Sequence, residues 1–188
     1  FRRVLFRSDG VSQDKKKSIE LYQKAADMGN TDAFSSLCYC WEREDSTQFQ
    51  RKVIESLQQK TKRGDANAMV NLAVCYEKGE GVPQDFKKAI ELYQRAADMG
   101  NTNAMNKLGV FYLNGEGVSQ DKTKAFELFQ FGATMGNTNA LFNLGQCYEN
   151  GDGVAQDKYE AFKMYRQSYA FGNTHAEDAA KRLNHFYC

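Results

Sequence analysis

GDANAMVNLAVCYEKGEGVPQDFKKAIELYQRAADM (residues 64–99) runs without a break into GNTNAMNKLGVFYLNGEGVSQDKTKAFELFQFGATM (100–135) and then GNTNALFNLGQCYENGDGVAQDKYEAFKMYRQSYAF (136–171). Each stretch is 36 residues long, and the same residue types return in step. Ala68, Ala104, Ala140 and Ala176 are in register. So are Leu72, Leu108 and Leu144, then Tyr76, Tyr112 and Tyr148, then Gly81, Gly117 and Gly153. A fixed period in the range of about 20–50 residues marks stacked copies of one small unit rather than a single globular core. Such a stack offers an extended surface, which points to binding rather than to a catalytic pocket.

Within residues 64–99, Ala68, Leu72, Cys75 and Tyr76 fall on one face at helical spacing. Lys78-Gly79-Glu80-Gly81 ends that helix, and Pro83 excludes its continuation. Asp85 is placed to cap a second helix by accepting amide protons of its first turn, and Asp14, Asp121 and Asp157 recur at the same step. The apolar face of that second helix is Ala89, Ile90, Leu92, Tyr93, Ala96 and Ala97, with Gly100 as a left-handed C-cap. Small residues at Ala68, Ala89, Ala96, Gly109 and Gly145 let two helices approach closely. Tyr76 and Tyr93 fill the larger space between hairpins. One hairpin cannot bury both of its faces, so several copies must stack.

Residues 104–112 (AMNKLGVFY), Gly115-Glu116-Gly117-Val118, Asp121 and Lys124-Ala125 resemble the pattern of the Sel1-like repeat family, relatives of the tetratricopeptide repeats. The resemblance recurs at constant spacing over residues 9–188. It implies an all-α fold, an α/α superhelical solenoid of helix-turn-helix repeats of about 36 residues. The expected division is a partial repeat at 9–28, a degenerate repeat at 29–63, full repeats at 64–99, 100–135 and 136–171, and a terminal helix within 172–188. Helices are expected at 15–28, 32–43, 47–62, 66–77, 86–98, 103–113, 122–134, 139–149, 158–170 and 174–186. In the degenerate repeat Ala33, Leu37 and Trp41 stand in for Ala, Leu and Tyr, the G-x-G-V loop is lost, and Lys60 and Thr61 replace the paired alanines. Residues 1–8, FRRVLFRS, match the in-frame translation of a common sequencing-library adapter and are set aside as an artefact. The repeat array then starts partway through a unit at Asp9-Gly10-Val11.

Composition narrows the chemistry. The net charge is +1, and no basic run provides the electrostatic footprint of a nucleic-acid binder. Apolar runs are far shorter than the roughly 20 residues needed to span a bilayer. Cys38, Cys40, Cys75, Cys147 and Cys188 form no C-x-x-C pair. Cys75 and Cys147 share their step with Phe111, so they are expected to be small core hydrophobes, and this thiol usage leans towards a reducing, cytoplasmic setting. His175 and His185 are ten residues apart and lie on different helix faces, which gives no metal pair. The G-x-G loops lack a preceding strand and a G-K-S/T, and Asn150-Gly151-Asp152-Gly153 lacks the alternating ligands and closing glutamate of a calcium loop. No serine or cysteine has a plausible base nearby. The expectation is therefore no catalytic residue, no metal and no cofactor.

In a hairpin solenoid the first helices line the inner, concave surface. The positions they leave over from the core are Ser35, Tyr39 and Glu42; Val70, Val74 and Glu77; Asn106, Val110 and Leu113; and Phe142, Gln146 and Glu149. Each set forms one stripe, and its chemistry changes from repeat to repeat while the core steps stay uniform. The expected protein-binding surface is Tyr39, Val70, Val74, Glu77, Asn106, Val110, Leu113, Phe142, Gln146 and Glu149, with a protein or peptide as partner. Glutamate at Val74 and Val110 is expected to abolish capture without loss of helicity. The family resemblance implies a non-catalytic adaptor in multiprotein assemblies. Alternatives are the recognition arm of a larger enzyme, such as a kinase, or a β-lactamase-like relative. The resemblance associates the latter with regularly paired cysteines, which this chain lacks.

Overall fold

The structure is a computed structural model and describes residues 17, 18, 20–22, 24, 25, 28 and 47–184. The described residues between 17 and 25 are helical. The expected helix at 32–43, the residues Ser35, Tyr39 and Glu42, the thiols Cys38, Cys40 and Cys188, and His185 lie outside the described residues. All elements among the described residues are α-helices: α1 (Thr47–Lys62), α2 (Ala66–Lys78), α3 (Phe86–Asp98), α4 (Thr102–Asn114), α5 (Lys122–Thr134), α6 (Thr138–Asn150), α7 (Lys158–Ala170) and α8 (His175–Asn184). The chain divides into two compact units, residues 1–84 and 85–188.

In the first unit α1 packs against α2. Val53, Ile54 and Leu57 are the buried face of α1, at the apolar spacing of an amphipathic helix. Thr61 takes the place of an alanine of the repeat pattern. It is buried, and its hydroxyl finds no hydrogen-bond partner among the described residues. Asp65 caps α2 by accepting the Ala68 N–H at 3.0 Å. At the far end Gly79 takes a left-handed φ and donates its N–H to the Cys75 carbonyl at 2.8 Å.

The second unit has the nearest-neighbour packing of a solenoid. Within it each helix from α3 to α8 packs against its neighbour in sequence, α3 on α4, α4 on α5, α5 on α6, α6 on α7 and α7 on α8, and α4 also touches α6. Three of the aspartates expected to cap second helices do so, Asp14 lying outside the described residues: Asp85, Asp121 and Asp157 accept from Lys88, Lys124 and Glu160 backbone N–H groups at 3.0, 2.9 and 3.0 Å. The Lys88 N–H is the main reason the Asp85 carboxyl lies below its ordinary range. After α3, Gly100 donates to Ala97 and Asn101 to Ala96, at 2.8 and 3.0 Å, the paired bonds of a Schellman ending. First helices begin one residue earlier than expected because Asn101 and Asn137 cap them, accepting from Ala104 and Ala140 at 3.0 and 2.9 Å.

Ala104, Ala140 and Ala176 are fully buried, and Leu108 and Leu144 join them in the core. Large rings fill the hairpins: Phe129 and Tyr165 lie beneath Gly109 and Gly145, where a Cβ would come within 2.5 and 2.8 Å of the ring. The second glycine of each G-x-G loop locks onto the preceding repeat. A Cβ at Gly117 would stand 2.7 Å from the Cβ of Phe86. One at Gly153 would fall on the Lys122 carbonyl oxygen. The Lys122–Asp152 ion pair, at 2.8 Å, clamps that same junction.

Candidate binding surface

The first helices of the second unit are tied to one another through asparagines. Asn137 uses its side-chain oxygen to cap α6, and its Nδ2 donates back to Thr102 Oγ1 (3.2 Å) and Asn103 Oδ1 (2.9 Å) of α4. Asn143 Nδ2 donates to Asn106 Oδ1 at 2.8 Å, and Asn173 Nδ2 to Asn139 Oδ1 at 3.3 Å. Asn106, expected as a contact residue, therefore also holds α4 to α6. It remains half-buried, as do Val110, Leu113, Phe142, Gln146 and Glu149.

The neighbouring hairpins draw on most of these side chains. Val110 and Leu113 pack against the core cluster of Ala125, Phe129, Leu144 and Cys147. Phe142 meets Tyr165 with ring centroids 5.4 Å apart. Glu149 accepts the Tyr165 hydroxyl at 2.8 Å and pairs with the Arg182 guanidinium of α8 at 2.9 Å. Burial, and then the Glu149 carboxylate, raise the Tyr165 phenol well above its ordinary range. Gln146 lies one turn from Phe142 and Glu149 on α6.

In the first unit the expectation of an open stripe fails for Val70 and Val74. Both are 2% exposed. Residues Ala68 to Cys75 of α2 are buried without a gap, so its middle turns have no open face and these valines are core. Glu77 in the last turn is half-buried. Glutamate at Val74 would thus test folding, not binding, because a buried unpaired carboxylate is itself strongly destabilising.

Three glutamines escaped the sequence reading. Gln84, Gln120 and Gln156 each precede a capping aspartate and donate Nε2 to the carbonyls of Glu77, Leu113 and Glu149, at 2.9, 2.8 and 2.7 Å. They close the ends of first helices, and their 36-residue recurrence was the available signal. Cys75 and Cys147 are buried free thiols, with burial pushing Cys147 up to about 12. Among the described residues no group of three or more His, Cys, Asp or Glu could hold a metal ion. None of the described helices is long and apolar enough to cross a membrane.

Residues 3–30, 66–101, 102–137 and 138–172 match the Sel1 repeat family profile. A Sel1 repeat protein from Oxalobacter formigenes is 33% identical over 68% of this chain and 96% of its own, with a TM-score of 0.62. The protective antigen c5321 of uropathogenic Escherichia coli, which displays an SLR fold, is 30% identical with a TM-score of 0.67 over 84% of this chain, and the chain spans 34% of that antigen. Helicobacter pylori cysteine rich protein B, at 19% identity and a TM-score of 0.50, shares the fold. No curated protein matches the chain significantly. Four profile matches that together cover more than half of the chain, and a Sel1 repeat protein 33% identical and covered to 96% of its length, make it a member of the Sel1 repeat family.

Proposed function

We propose that this chain is a non-catalytic adaptor that holds a protein or peptide partner along the concave face of its first helices. Sel1 repeat proteins are generally non-catalytic scaffolds whose repeats mediate protein–protein interactions. The observation that carries the reading for this chain is the contrast between its core and its first-helix stripe. Ala104 and Ala140, or Leu108 and Leu144, repeat the same chemistry in the core. Two residues on from those core steps Asn106 gives way to Phe142 and Val110 to Gln146, and three residues further Leu113 gives way to Glu149, all half-buried. A surface that varies on a constant frame can read an extended ligand. Gln146 is its most informative position, because the side chains around it are partly engaged in packing.

Photo-crosslinking with benzoylphenylalanine at Gln146, and in parallel at the exposed Gln130 of α5, tests this reading. The expected result is a discrete protein adduct from position 146 and no adduct of that mass from position 130. Equal adducts from both positions, or none from 146, would refute it.

A further inference from the structure

The second helices carry a different feature. A groove of about 260 Å³ opens between α3 and α5, lined by Ala97, Asp98, Met105, Glu127, Leu128 and Phe131 among others. None of the first-helix stripe residues contributes to it. Phe131 is 57% exposed and is out of step with the repeat. The equivalent positions hold Arg95 and Gln167, so the hairpin does not need an aromatic there. The apolar surface continues past the groove. Met135 follows one turn after Phe131, and its Cε lies 4.0 Å from a Cβ position on Gly100, next to Met99. Met99 and Met135 are themselves about half exposed. An exposed patch of large apolar side chains rimmed by polar groups marks an interaction site.

Size and charge select the occupant. Pockets for drug-sized molecules run to about 300–1,000 Å³, so this groove suits a side chain or two of a larger partner rather than a cofactor. Its carboxylates are Asp98, oriented by a 2.8 Å hydrogen bond from Gln94 Nε2, and Glu127. Its one cation, Lys124, donates to the Tyr112 hydroxyl at 2.8 Å and lies 4.2 Å from that ring's centroid. The lining is therefore net acidic, with its ammonium held against α4. We propose that this groove docks a cationic, apolar-anchored peptide segment of a protein partner. A large side chain packs beside Phe131, and flanking lysine or arginine side chains meet Asp98 and Glu127.

The repeat supplies mild variants. Phe131→Gln and Glu127→Lys install the residues that α7 carries at the same steps, Gln167 and Lys163. Fluorescence polarisation of a fluorescein-labelled peptide, with one tryptophan flanked by lysines on both sides, gives the dissociation constant. Binding by the unaltered protein is expected to weaken roughly tenfold or more in Phe131→Gln, as for loss of a hot-spot aromatic. In Glu127→Lys it should weaken about threefold and lose part of its salt dependence, as for a rim charge. A variant at Gln146, on the other layer, should bind as the unaltered protein does, which separates this site from the first-helix reading. The proposal is overturned by no binding to the unaltered protein, by equal affinity for Phe131→Gln, or by equal affinity for a peptide with glutamates in place of lysines. Phe131-dependent binding to phosphatidylcholine vesicles, or Phe131-dependent dimers in sedimentation, would overturn it in favour of a lipid surface or a second copy of the chain.

Discussion

Gly109→Ala sets helix propensity against packing, and the structure says which wins. A Cβ at Gly109 would stand 2.5 Å from Phe129 Cε1 and 2.9 Å from Cδ1 and Cζ. Carbon atoms at ease sit about 3.5–4.0 Å apart, so the ring would have to retreat by about 1 Å. Phe129 is 0% exposed and enclosed by Ala125, Leu144 and Cys147, which leaves it nowhere to go. Overpacking of this kind costs about 1–3 kcal/mol, and contact with three ring atoms puts it near the upper end. Against that, alanine in a helix interior gains about 1 kcal/mol over glycine. The net expectation is a loss of about 2 kcal/mol, or a fall in melting temperature of roughly 4–8 °C for a chain of this size.

Urea unfolding followed by circular dichroism measures the loss, and a cycle with Phe129→Leu identifies its source. The smaller side chain should absorb the methyl group, giving a favourable coupling of about 1 kcal/mol or more. The sequence alone suggests a neutral change, since Ala73 occupies the same step in the preceding repeat. A Gly109→Ala protein as stable as the original, or a penalty undiminished by Phe129→Leu, would refute the packing argument.

Asn137→Ala removes a helix cap together with two bonds to the preceding first helix, and should cost about 1–2 kcal/mol. Gln156→Ala loses a single exposed bond to the Glu149 carbonyl and should cost about 1 kcal/mol or less; equal costs in thermal melts would contradict the bridging role of Asn137. Cys147 gives a pH prediction. Its thiol is raised from 9.0 to about 12 by burial, so below pH 9 it is protonated in both the folded and the unfolded chain and its contribution to stability is complete. As pH rises from 9 towards 12 only the unfolded chain releases this proton, and stability falls. The stability difference between the unaltered protein and Cys147→Ala should therefore shift against the cysteine protein across that window, and a difference constant with pH would rule this out.

The sequence makes the helices more legible than their surroundings. The second helices at 86–98, 122–134 and 158–170 lie where Asp and Gly punctuation puts them, to the residue. The starts of α4 and α6 are less legible, because the G-N-T-N segment carries both a glycine that ends one helix and an asparagine that caps the next one residue earlier than the apolar spacing indicates. The misplacement of Val70 and Val74 has a different cause. A period assigns one face to every copy but does not say how deeply each copy is covered. Residues 69–75, MVNLAVC, have Asn71 as their only polar residue, whereas the matching stretch of α4 carries Asn106 and Lys107. That local richness in apolar residues, rather than the step number, distinguishes a helix buried on all sides from one with an open stripe.

Steps that keep one residue type build the stack, and steps that change are free to vary, but variation alone does not make a contact available. Glu149 and Phe142 vary from their counterparts Leu113 and Asn106, yet the structure uses Glu149 to hold Tyr165 and Arg182, and uses Phe142 to cover the same tyrosine. Gln146 and Phe131 also depart from their repeat steps. Neither is fully buried, and Phe131 stands more than half exposed on the opposite helix layer. A departure from the period therefore points to a partner only after the neighbouring hairpin's claim on the side chain has been subtracted. Applied to this chain, that subtraction narrows a stripe of ten candidates and brings in a residue, Phe131, that the stripe does not contain.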